Sequence, residues 1–344
     1  MHLIDQELHL MIQGRIDEAW KLAEILEKDF PDNNRAKFNR AWFLISQGKF
    51  QEGYQLLEHG RFLNTYGGQP LNTNKPIWDG VQDLKNKSVV ILLEGGYGDI
   101  FTMVRFAKEI HKRGGSTIIC GDYSVHSLLL RVPGVQSCVT LDDIPFVNFD
   151  FWIPSFSCSW LFGHTVDTLP NEPYIFAKPE SVAIWKTFLS TDKPKVGIRW
   201  SGNPVFEHQQ FRLFPPKYLI DLHEKFSDVQ FYSLQRDNDI IELPLPISDI
   251  QDLLISWEDT AACIQNLDLV ITSCTSIAHL SSAMGKPTFV IVPILPYHTW
   301  AYGGDHSCWY QKSTKVFRQK KLGDWDEPFK QVEEDLNLLF PQNK

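Results

Sequence analysis

The feature that most constrains the fold is an apolar run that passes through glycines into a helical pattern and then into a second apolar run. The stretch is SVVILLEGGYGDIFTMVRFAKEIHKRGGSTIICG, residues 88–121. Continuous apolar runs of this length are typical of strands buried on both faces, and parallel strands need a crossover helix between them. The stretch therefore predicts a β-α-β unit with a glycine-rich turn at the carboxyl end of its first strand.

A second series of the same kind begins near Lys195. The segments KVGIRWSG, VQFYSLQ, DLVITSCTS and PTFVIVP predict strands, and PPKYLIDLHEKF, TAACIQNL and IAHLSSAMG predict the helices between them. This order predicts a second parallel sheet. The two series, joined through EPYIFAKPESVAIWKTFLS, predict paired nucleotide-binding-type domains that face each other across a cleft, and DEPFKQVEEDLNLLF predicts a closing helix.

The N-terminal segment contains a repeat. GRIDEAWKLAEIL begins at Gly14 and GKFQEGYQLLEHG at Gly48, a difference of 34 positions, which is the period of tetratricopeptide helical hairpins. In this register Ala19 matches Gly53. We expect two helix pairs over residues 4–61 that pack against the following domain, because two repeats bury little core of their own. An ordinary helical bundle accounts for the amphipathic pattern but not for the offset.

These patterns divide the chain into five segments. The stretch LNTYGGQPLNTNKPIWDG, rich in Gly, Pro and Asn, indicates a linker after the helices. The fold class is α/β, with a short all-α, tetratricopeptide-like segment ahead of two Rossmann-like parallel-sheet domains. The predicted segments are helical repeats in 1–62, a linker in 63–85, a first domain in 86–180, a second domain in 181–325, and a C-terminal helix and tail in 326–344.

Composition and charge exclude several classes of function. The net charge of −9 and the lack of a dense Lys/Arg run argue against nucleic-acid binding, whereas a small anion needs only local donors. The start MHLIDQELHL lacks the features of an export signal, and FVIVPIL is too short to span a membrane. The six cysteines form no C-x-x-C pair, which argues against a zinc site or a disulfide framework. We therefore expect a cytoplasmic protein without a transmembrane segment.

The first predicted strand leads into Gly95, Gly96, Tyr97, Gly98 and Asp99. The glycines permit close backbone approach, but the pattern is neither the G-x-G-x-x-G dinucleotide fingerprint nor a P-loop. Asp99 has two interpretations that do not exclude each other. It is a good helix cap, and a carboxylate at a strand-to-helix turn facing a cleft is also placed to accept a proton from a hydroxyl nucleophile.

A second predicted turn, in ITSCTSIAHLSSAMGKP, is crowded with small hydroxyl residues. They are Thr272, Ser273, Thr275 and Ser276. Their hydroxyls, with the N–H groups of a helix that starts near Ile277, make a neutral phosphate cradle. His279 alone is more typical of a buried core histidine, but beside a phosphate site it is placed to donate to diphosphate oxygens.

Polar side chains also occur at another strand end of the second series. Arg199, Ser201 and Asn203 lie at the end of the strand KVGIRW or just beyond it, and Arg212 follows shortly afterwards. A guanidinium such as that of Arg212 suits bidentate phosphate binding. The alternative interpretation is a solvated loop.

The strand VQFYSLQ ends at Gln235, which is followed by Arg236 and by an aspartate pair, Asp237 and Asp239. A D-x-D pair is a metal-binding pattern in some proteins. Short acidic patterns are, however, common in turns. We therefore predict no metal at this position.

The ordered motifs resemble a known family. GGYGDIFTMVRFA, GIRWSGNP, FR before PP, YSLQ, DTAACIQNLDLVITSCTSIAHLSSAMGKP and FRQKKLGDW occur in this order. The set resembles the bacterial glycosyltransferases related to lipopolysaccharide heptosyltransferases, glycosyltransferase family 9, and in particular the variants that carry tetratricopeptide repeats. The likeness runs from Gly14 to the C-terminal helix. It implies the GT-B architecture, with the acceptor bound by the first Rossmann-like domain and the nucleotide sugar by the second.

The resemblance also implies roles for individual residues in an inverting, metal-independent transfer without a cofactor. Asp99 falls on the catalytic base and His279 lies in the diphosphate-binding turn as a second catalytic residue. The implied acceptor-side loop is Gly95, Gly96, Tyr97 and Gly98. The implied donor-binding residues are Arg199, Ser201, Asn203, Arg212, Gln235, Cys274, Thr275, Ser276 and Ile277. The heptosyltransferases carry an aspartate where this sequence has Cys274, a departure that leaves the donor sugar open.

Functions from different classes remain open. The first is a hexosyl- or heptosyl-type glycosyltransferase that moves a sugar from a nucleotide diphosphate to a glycan, a lipid-linked glycan or a protein. The second is a non-catalytic, nucleotide-sugar-binding scaffold that uses its helical repeats for a protein partner. Cys274 favours the scaffold, whereas Asp99, Arg212 and His279 favour the enzyme. A nucleotide-sugar epimerase on the same architecture is disfavoured by the repeats.

Overall fold

The computed structural model describes residues 3–67, 70–203, 209–236, 247–310 and 312–341. The chain divides into two compact units. The first contains Arg15–Phe176 and the chain up to Met11, and the second contains Ile12–Gly14 and the chain from Ala177 onward. The five predicted segments divide the chain more finely, and their boundaries stay predictions. Within the described ranges, no helix combines the length and the apolar character needed to cross a bilayer.

Four helices open the chain. They are α1 (Leu3–Ile12), α2 (Ile16–Asp29), α3 (Asn34–Ser46) and α4 (Phe50–Leu57). Helices α2 and α4 begin at the two copies of the sequence repeat, and each follows a glycine in the left-handed region: Gly14 has a φ of 75° and Gly48 a φ of 78°. The two expected helix pairs are present, whereas their tetratricopeptide nature stays a prediction.

The helical segment packs against other parts of the first unit. A 3₁₀ helix, Glu58–Leu63, follows α4, and Tyr66 beyond it stacks on Phe156 with ring centroids 4.2 Å apart. The Tyr66 hydroxyl donates to the Leu57 carbonyl at 2.7 Å. A Cβ on Gly60 would lie 2.6 Å from the Tyr66 ring, so only glycine permits this approach.

The first sheet has four parallel strands in the order β3-β2-β1-β4. They are β1 (Ser88–Leu92), β2 (Ser116–Cys120), β3 (Val135–Val139) and β4 (Phe151–Pro154). Strand β1 is internal to the sheet and is buried from Val89 to Leu92, as its continuous apolar run predicts. The helices that accompany this sheet are α5 (Tyr97–Met103), α6 (Phe106–Lys112), α7 (His126–Leu129) and α8 (Cys158–Leu161).

The single helix predicted over IFTMVRFAKEIHKRG is wrong, since two helices, α5 and α6, occupy it. The carbonyl of Phe101 accepts from the Tyr174 hydroxyl at 2.7 Å, and the carbonyl of Thr102 accepts from Nε of Arg105 at 2.8 Å. In a continuous α-helix these carbonyls would accept from backbone N–H groups four residues on. Side chains therefore compete with the backbone hydrogen bonds at this point and divide the helix.

The second sheet has six parallel strands in the order β10-β9-β8-β5-β6-β7. They are β5 (Lys195–Arg199), β6 (Gln230–Ser233), β7 (Ser248–Asp249), β8 (Leu269–Ser273), β9 (Thr288–Val292) and β10 (Thr314–Arg318). The helices of this unit are α9 (Pro179–Phe188), α10 (Gln209–Arg212), α11 (Lys217–Lys225), α12 (Trp257–Gln265), α13 (Ser276–Ala283), α14 (His298–Ala301) and α15 (Asp326–Leu339).

The core of the second unit includes an interface between the sheet and the C-terminal helix α15. Phe329, Val332 and Leu336 from this helix are buried in one cluster with Ile198 of β5 and Ile271 of β8. The predicted closing helix is therefore confirmed and covers one face of the second sheet. The sequence pattern predicts β1, β2, β5, β6, β8 and β9 and misses β3, β4, β7 and β10.

The segment predicted as a linker is packed against the first sheet. Trp78 is fully buried, and its backbone N–H donates to the Trp152 carbonyl of β4 at 3.0 Å. Ile77 also forms an isolated parallel bridge with Trp152. The segment between the helices and the first sheet therefore contributes to the core of the first unit.

Candidate functional site

Each sheet has one point where the order of its strands reverses. In the first sheet the chain moves from β1 to β2 and β3, and then places β4 on the other side of β1. In the second sheet it moves from β5 to β6 and β7, and then places β8 on the other side of β5. Connections diverge at such a point and leave a crevice at the carboxyl ends of the strands, where open parallel sheets bind ligands. The turns after β1, β5 and β8 are therefore the candidate sites.

Asp99 lies in the first turn of α5, directly after β1. Its Oδ2 accepts the backbone N–H of Gly96 at 2.9 Å, so the side chain caps the helix. Gly95 has a φ of 77°, and a Cβ there would lie 2.4 Å from this same oxygen. A glycine is therefore required for the carboxylate to lie against the turn.

The other predicted residues of this loop have distinct environments. Gly96 is the N-cap residue of α5 and has an extended backbone. The carbonyl of Gly98 accepts from the Thr102 hydroxyl at 2.8 Å. Tyr97 is 36% exposed, and its hydroxyl lies 3.2 Å from that of Ser124, which follows β2. Tyr97 therefore presents an accessible aromatic side chain next to the Asp99 turn.

Three consecutive backbone N–H groups of this turn donate to protein acceptors. The Glu94 N–H donates to the Ser155 hydroxyl at 3.0 Å, and the Gly95 N–H donates to the Tyr66 carbonyl at 2.9 Å. The Gly96 N–H donates to the carboxylate described above. Glycine-rich phosphate loops instead point such groups at the ligand. This turn therefore presents a carboxylate and not an anion cradle.

The capping contact by itself does not distinguish Asp99 from other aspartates as a candidate catalytic base. Asp143, which follows β3, accepts from the N–H and the hydroxyl of Thr140 at 2.8 and 2.7 Å. These hydrogen bonds lower the pKa of Asp143, whose side chain is exposed. Asp99 differs because it is only 9% exposed and follows β1, at the point where the strand order reverses.

In the second unit, the turns after β5 and β8 meet around Arg212. Its Nη1 donates to the Cys274 carbonyl at 3.1 Å. A Cβ on Gly202 would lie 2.5 Å from Nη2 of Arg212 and 3.1 Å from Cγ2 of Thr275. The guanidinium therefore lies near the start of α13, where the helix dipole also favours an anion. The structure thus brings together three of the predicted donor-binding residues, Arg212, Cys274 and Thr275.

Thr275 is the N-cap residue of α13, and Ser276 is the first residue of that helix. The Thr275 hydroxyl lies 3.2 Å from that of Thr272, which donates to the Ser273 carbonyl at 2.8 Å. The first N–H groups of a helix have no partner within it, which makes a helix start an anion-binding position. In α13 the Ala278 N–H donates to the Thr275 carbonyl at 3.0 Å, which leaves the N–H groups of Ser276 and Ile277; Ile277 is fully buried, and Ser276 is the partly exposed residue of the two.

Two predicted donor-binding side chains hold loops together. Arg199 is 6% exposed and donates from Nε to the Ser201 carbonyl at 2.9 Å and from Nη1 to the Leu234 carbonyl at 3.2 Å. Oε1 of Gln235 accepts the N–H of Ser201 at 3.2 Å. These contacts join the loops after β5 and β6, and Asn203 lies exposed further along the first of them. Direct contact of any of these residues with a donor stays a prediction.

His279 is a buried side chain of α13. It is 3% exposed, its Nδ1 lies 2.8 Å from the Tyr310 hydroxyl, and its ring centroid lies 4.9 Å from that of Trp300. This is the environment of a buried core histidine, which was one of the two interpretations of its sequence position. A contact between His279 and a diphosphate stays a prediction.

Metal-ligating side chains are dispersed in the part of the chain that the structure describes. In that part, no three or more His, Cys, Asp or Glu side chains are grouped so as to hold a metal ion. The D-x-D pair, Asp237 and Asp239, lies outside the described residues. Its neighbour Arg236 donates to the Ile255 carbonyl at 3.3 Å and lies 5.7 Å from the ring centroid of Trp257.

One partly buried charged pair near the glycine turn is absent from the sequence-based prediction. Arg61, from the 3₁₀ helix after α4, donates to both carboxylate oxygens of Glu94, the residue before Gly95. The two residues are 33 positions apart in different predicted segments. No spacing or motif connects them, and only the folded chain reveals the pair.

A comparison of sequences finds distant similarity to a curated protein. No family model matches the chain. Protein FlbA of Caulobacter vibrioides is 24% identical over a match of 321 residues that covers 84% of this chain and 53% of FlbA. The chain therefore spans about half the length of the curated relative that it matches.

A comparison of structures finds glycosyltransferases. The glycosyl transferase family 9 structure from Veillonella parvula matches with a TM-score of 0.54 and 11% identity, over 77% of this chain and 92% of the other. E. coli ADP-heptose lipopolysaccharide heptosyltransferase II matches with a TM-score of 0.55 and 12% identity, over 74% of this chain and 98% of the other. At these identities the likeness shows a shared fold. The chain therefore has two parallel-sheet α/β domains like those of these glycosyltransferases, with helices at its N-terminus.

Proposed function

We propose that this protein is a glycosyltransferase that moves a sugar from a nucleotide diphosphate donor to a hydroxyl acceptor. One observation supports this function above the others. A carboxylate after β1 and a set of anion-binding groups after β5 and β8 both occupy points where the strand order reverses, in a fold shared with two structures named as glycosyltransferases. A base for the acceptor and a site for the diphosphate are the two parts that such a transfer needs.

In the proposed reaction, the acceptor oxygen attacks C1 of the donor sugar while the bond between C1 and the diphosphate oxygen breaks. Asp99 takes the proton of the acceptor hydroxyl as the new bond forms. A single displacement of this kind inverts the configuration at C1. The negative charge that develops on the diphosphate is stabilised by Arg212, the Thr275 hydroxyl and the first N–H groups of α13. These groups supply positive charge from the protein, so the proposed reaction needs neither a metal nor a cofactor.

Cys274 affects how the donor is held. Burial raises the pKa of its thiol, so the side chain is neutral, although the neighbouring Arg212 acts in the opposite direction. An aspartate at this position, as in the heptosyltransferases that the sequence resembles, would pair with Arg212. The cysteine therefore leaves more of the guanidinium charge to a bound diphosphate. The proposed donor sugar is of the hexosyl or heptosyl type, as in the enzymes that the sequence resembles, and Cys274 does not select between the two.

The proposal extends to the two ligands and to the helices. We assign the acceptor to the first unit and the nucleotide sugar to the second, as in the GT-B resemblance. The acceptor is a hydroxyl of a glycan, a lipid-linked glycan or a protein. The N-terminal helices are tetratricopeptide-like and offer a surface to a protein partner, and the reaction is assigned to the cytoplasm.

A non-catalytic scaffold that binds nucleotide sugar is the second candidate. It is favoured by one observation: His279 is buried and bonded to the Tyr310 hydroxyl instead of facing an open turn. A scaffold would bind the donor through Arg212 and α13 in the same way. It would not release nucleoside diphosphate from it.

Two measurements on the purified protein test the proposed function. Thermal unfolding is followed with ADP, GDP, UDP, CDP and dTDP and with their sugars, because a ligand at 100 times its dissociation constant stabilises a fold by about 2.7 kcal/mol. The stabilising sugar nucleotide is then incubated with the protein, and the released nucleoside diphosphate is measured. Release supports the enzyme, and binding without release supports the scaffold. Stabilisation by none of these ligands contradicts both.

A further inference from the structure

An ion pair whose carboxylate is buried joins the helical segment to the glycine turn. The Nε and Nη2 atoms of Arg61 donate to the two oxygens of Glu94 at 2.5 and 2.8 Å. The Glu94 side chain is 5% exposed and that of Arg61 is 25% exposed. Bidentate guanidinium–carboxylate pairs of this kind restrict geometry strongly, because two parallel hydrogen bonds fix both distance and orientation.

Glu94 is held through its backbone as well as its side chain. Its N–H donates to the Ser155 hydroxyl at 3.0 Å, and its carboxylate accepts the N–H of Phe156 at 3.2 Å. Ser155 and Phe156 belong to the 3₁₀ helix that follows β4. Since β4 is the neighbour of β1 at the point of strand reversal, Glu94 joins the turn after β1 to the 3₁₀ helix after β4.

Arg61 is the cation shared by two carboxylates of this network. It also pairs with Glu58, and its Nη2 donates to the Ser157 hydroxyl at 3.1 Å. Ser157 in turn donates to Glu58 at 2.8 Å. Burial lowers the pKa of Arg61, but the hydrogen bonds and charges of Glu94 and Glu58 raise it by more, so the pKa lies above its usual value. Removal of Arg61 would leave both carboxylates without this counter-charge, which is costly for a buried group.

We propose that Arg61 is a positioning residue for Asp99, an inference that rests on the proposed function. Arg61 fixes Glu94, the first residue of the turn, and the N–H of the next residue, Gly95, donates to the Tyr66 carbonyl. The stretch from residue 58 to residue 66 thus contacts the turn twice, through one side chain and one carbonyl. The helical segment is therefore part of the scaffold of the catalytic turn, in addition to any partner that it binds.

The first test measures the turn itself and needs no activity. Hydrogen exchange is followed in the full-length protein on peptides that cover residues 93–103, for the wild type and for Arg61→Met. Because charged hydrogen bonds are lost, we expect the turn amides to exchange at least about tenfold faster in the variant. Unchanged exchange overturns the proposal. The matched control is Arg15→Met, which removes the exposed Arg15–Glu18 pair of the same segment and should leave these amides unchanged.

If Arg61→Met does not fold, Arg61→Lys replaces it in the exchange measurement. Lysine keeps the positive charge between the two carboxylates but loses the planar fork that reaches both oxygens of Glu94. The expected result is a smaller acceleration in the same peptides. Exchange identical to the wild type in Arg61→Lys, with a folded protein, overturns the bidentate positioning role.

The second test is a double-mutant cycle on sugar transfer. A carboxylate displaced by about 1 Å loses catalysis by up to about a hundredfold, so we expect Arg61→Met to lower kcat by about ten- to a hundredfold. The dissociation constant for the nucleoside diphosphate should not change. In the Asp99→Asn background, Arg61→Met should add no further loss if it acts through Asp99. Losses that multiply contradict a positioning role.

The two tests separate this inference from the proposed function. If the wild type transfers no sugar, the proposed function is wrong, and the exchange measurement still decides whether Arg61 orders the turn. If transfer is observed and exchange is unchanged in both Arg61 variants, the function stands and the positioning role is overturned.

Discussion

The turns after β1 and β8 each follow a strand beside the point where the strand order of a parallel sheet reverses, but they offer different groups to a ligand. In the first turn, the N–H groups of residues 94–96 donate to protein acceptors, and the Asp99 carboxylate lies against the backbone. In the second turn, Thr275 is the N-cap residue of α13, and Arg212 donates to the carbonyl of the residue before it, Cys274. One turn presents a negative group, and the other presents donors and positive charge.

This difference teaches that the fold does not by itself assign the chemistry of a strand-to-helix turn. The chemistry of such a turn depends on whether its backbone N–H groups donate to other groups of the protein. It depends also on which side chains lie beside the turn. In the β1 turn the N–H groups of residues 94–96 all donate within the protein, and one of them holds the Asp99 carboxylate. In the β8 turn those of Thr275 and Ala278 also donate within the protein, which leaves the N–H groups of Ser276 and Ile277 beside Arg212. This contrast supports the proposed division between proton removal in the first unit and diphosphate binding in the second.

The largest effect that we expect comes from Asp99→Asn. The amide oxygen can still cap α5, so the free energy of unfolding should change by well under about 1 kcal/mol. Proton removal is lost, however, and general-base contributions are about 10² to 10⁴ in rate. Sugar transfer should therefore fall at least about a hundredfold in a steady-state assay. The matched control is Asp143→Asn, which alters a similar cap after β3 and should keep full transfer activity. Equal losses of transfer in both variants would mean that the loss of a helix cap, and not of a base, explains the effect.

A smaller effect is expected from Gly95→Ala. The added Cβ would meet the Asp99 carboxylate at 2.4 Å, so the carboxylate must move. A displacement of about 1 Å costs up to about a hundredfold in rate, and transfer should fall by about ten- to a hundredfold. Gly163→Ala is the control, because Gly163 also has a positive φ but has open space around its Cβ position. If both variants lose stability alike and neither loses transfer, the contact between Gly95 and Asp99 does not matter for catalysis.

The smallest effect concerns the second turn. Gly202→Ala would place a Cβ 2.5 Å from Nη2 of Arg212 and should displace the guanidinium from the start of α13. Weakening one charged hydrogen bond should raise the dissociation constant for the nucleoside diphosphate by about tenfold. Calorimetric titration measures this constant directly. Gly304→Ala, at a position with no atom near the new Cβ, should bind as the wild type does, and equal affinity in both variants would contradict the assigned role of Arg212.

The sequence pattern predicts the internal strands of both sheets but not their edge strands. Within the described ranges, the strands without a sequence signal are β3, β4, β7 and β10, and each is the outermost strand of its sheet. Strand β3 contains no buried residue, whereas β4 is buried over three of its four residues but is too short to give a recognisable run. Internal strands such as β8 are buried throughout and therefore carry the continuous apolar run that makes them recognisable.

The parts of the candidate site that lie at the ends of internal strands could be predicted from the sequence. The parts that depend on packing between distant segments could not. The Asp99 turn and the Thr275 turn lie after internal strands, so their positions could be inferred from apolar runs and glycine or hydroxyl residues. The burial of His279 against Tyr310 depends on a contact between distant segments. The Arg61–Glu94 pair likewise forms between a helical segment and a strand end, and no local pattern encodes it.

The division of roles between the two turns can be tested by binding alone. A nucleoside diphosphate that stabilises the protein is titrated into the wild type, Asp99→Asn and Arg212→Ala. Loss of a charged hydrogen bond should weaken binding to Arg212→Ala by about 1.5 to 3 kcal/mol, which is about ten- to 150-fold in the dissociation constant. Asp99→Asn should bind with the wild-type constant, because the nucleotide is assigned to the other unit. Wild-type affinity in Arg212→Ala together with weakened binding in Asp99→Asn would contradict the account.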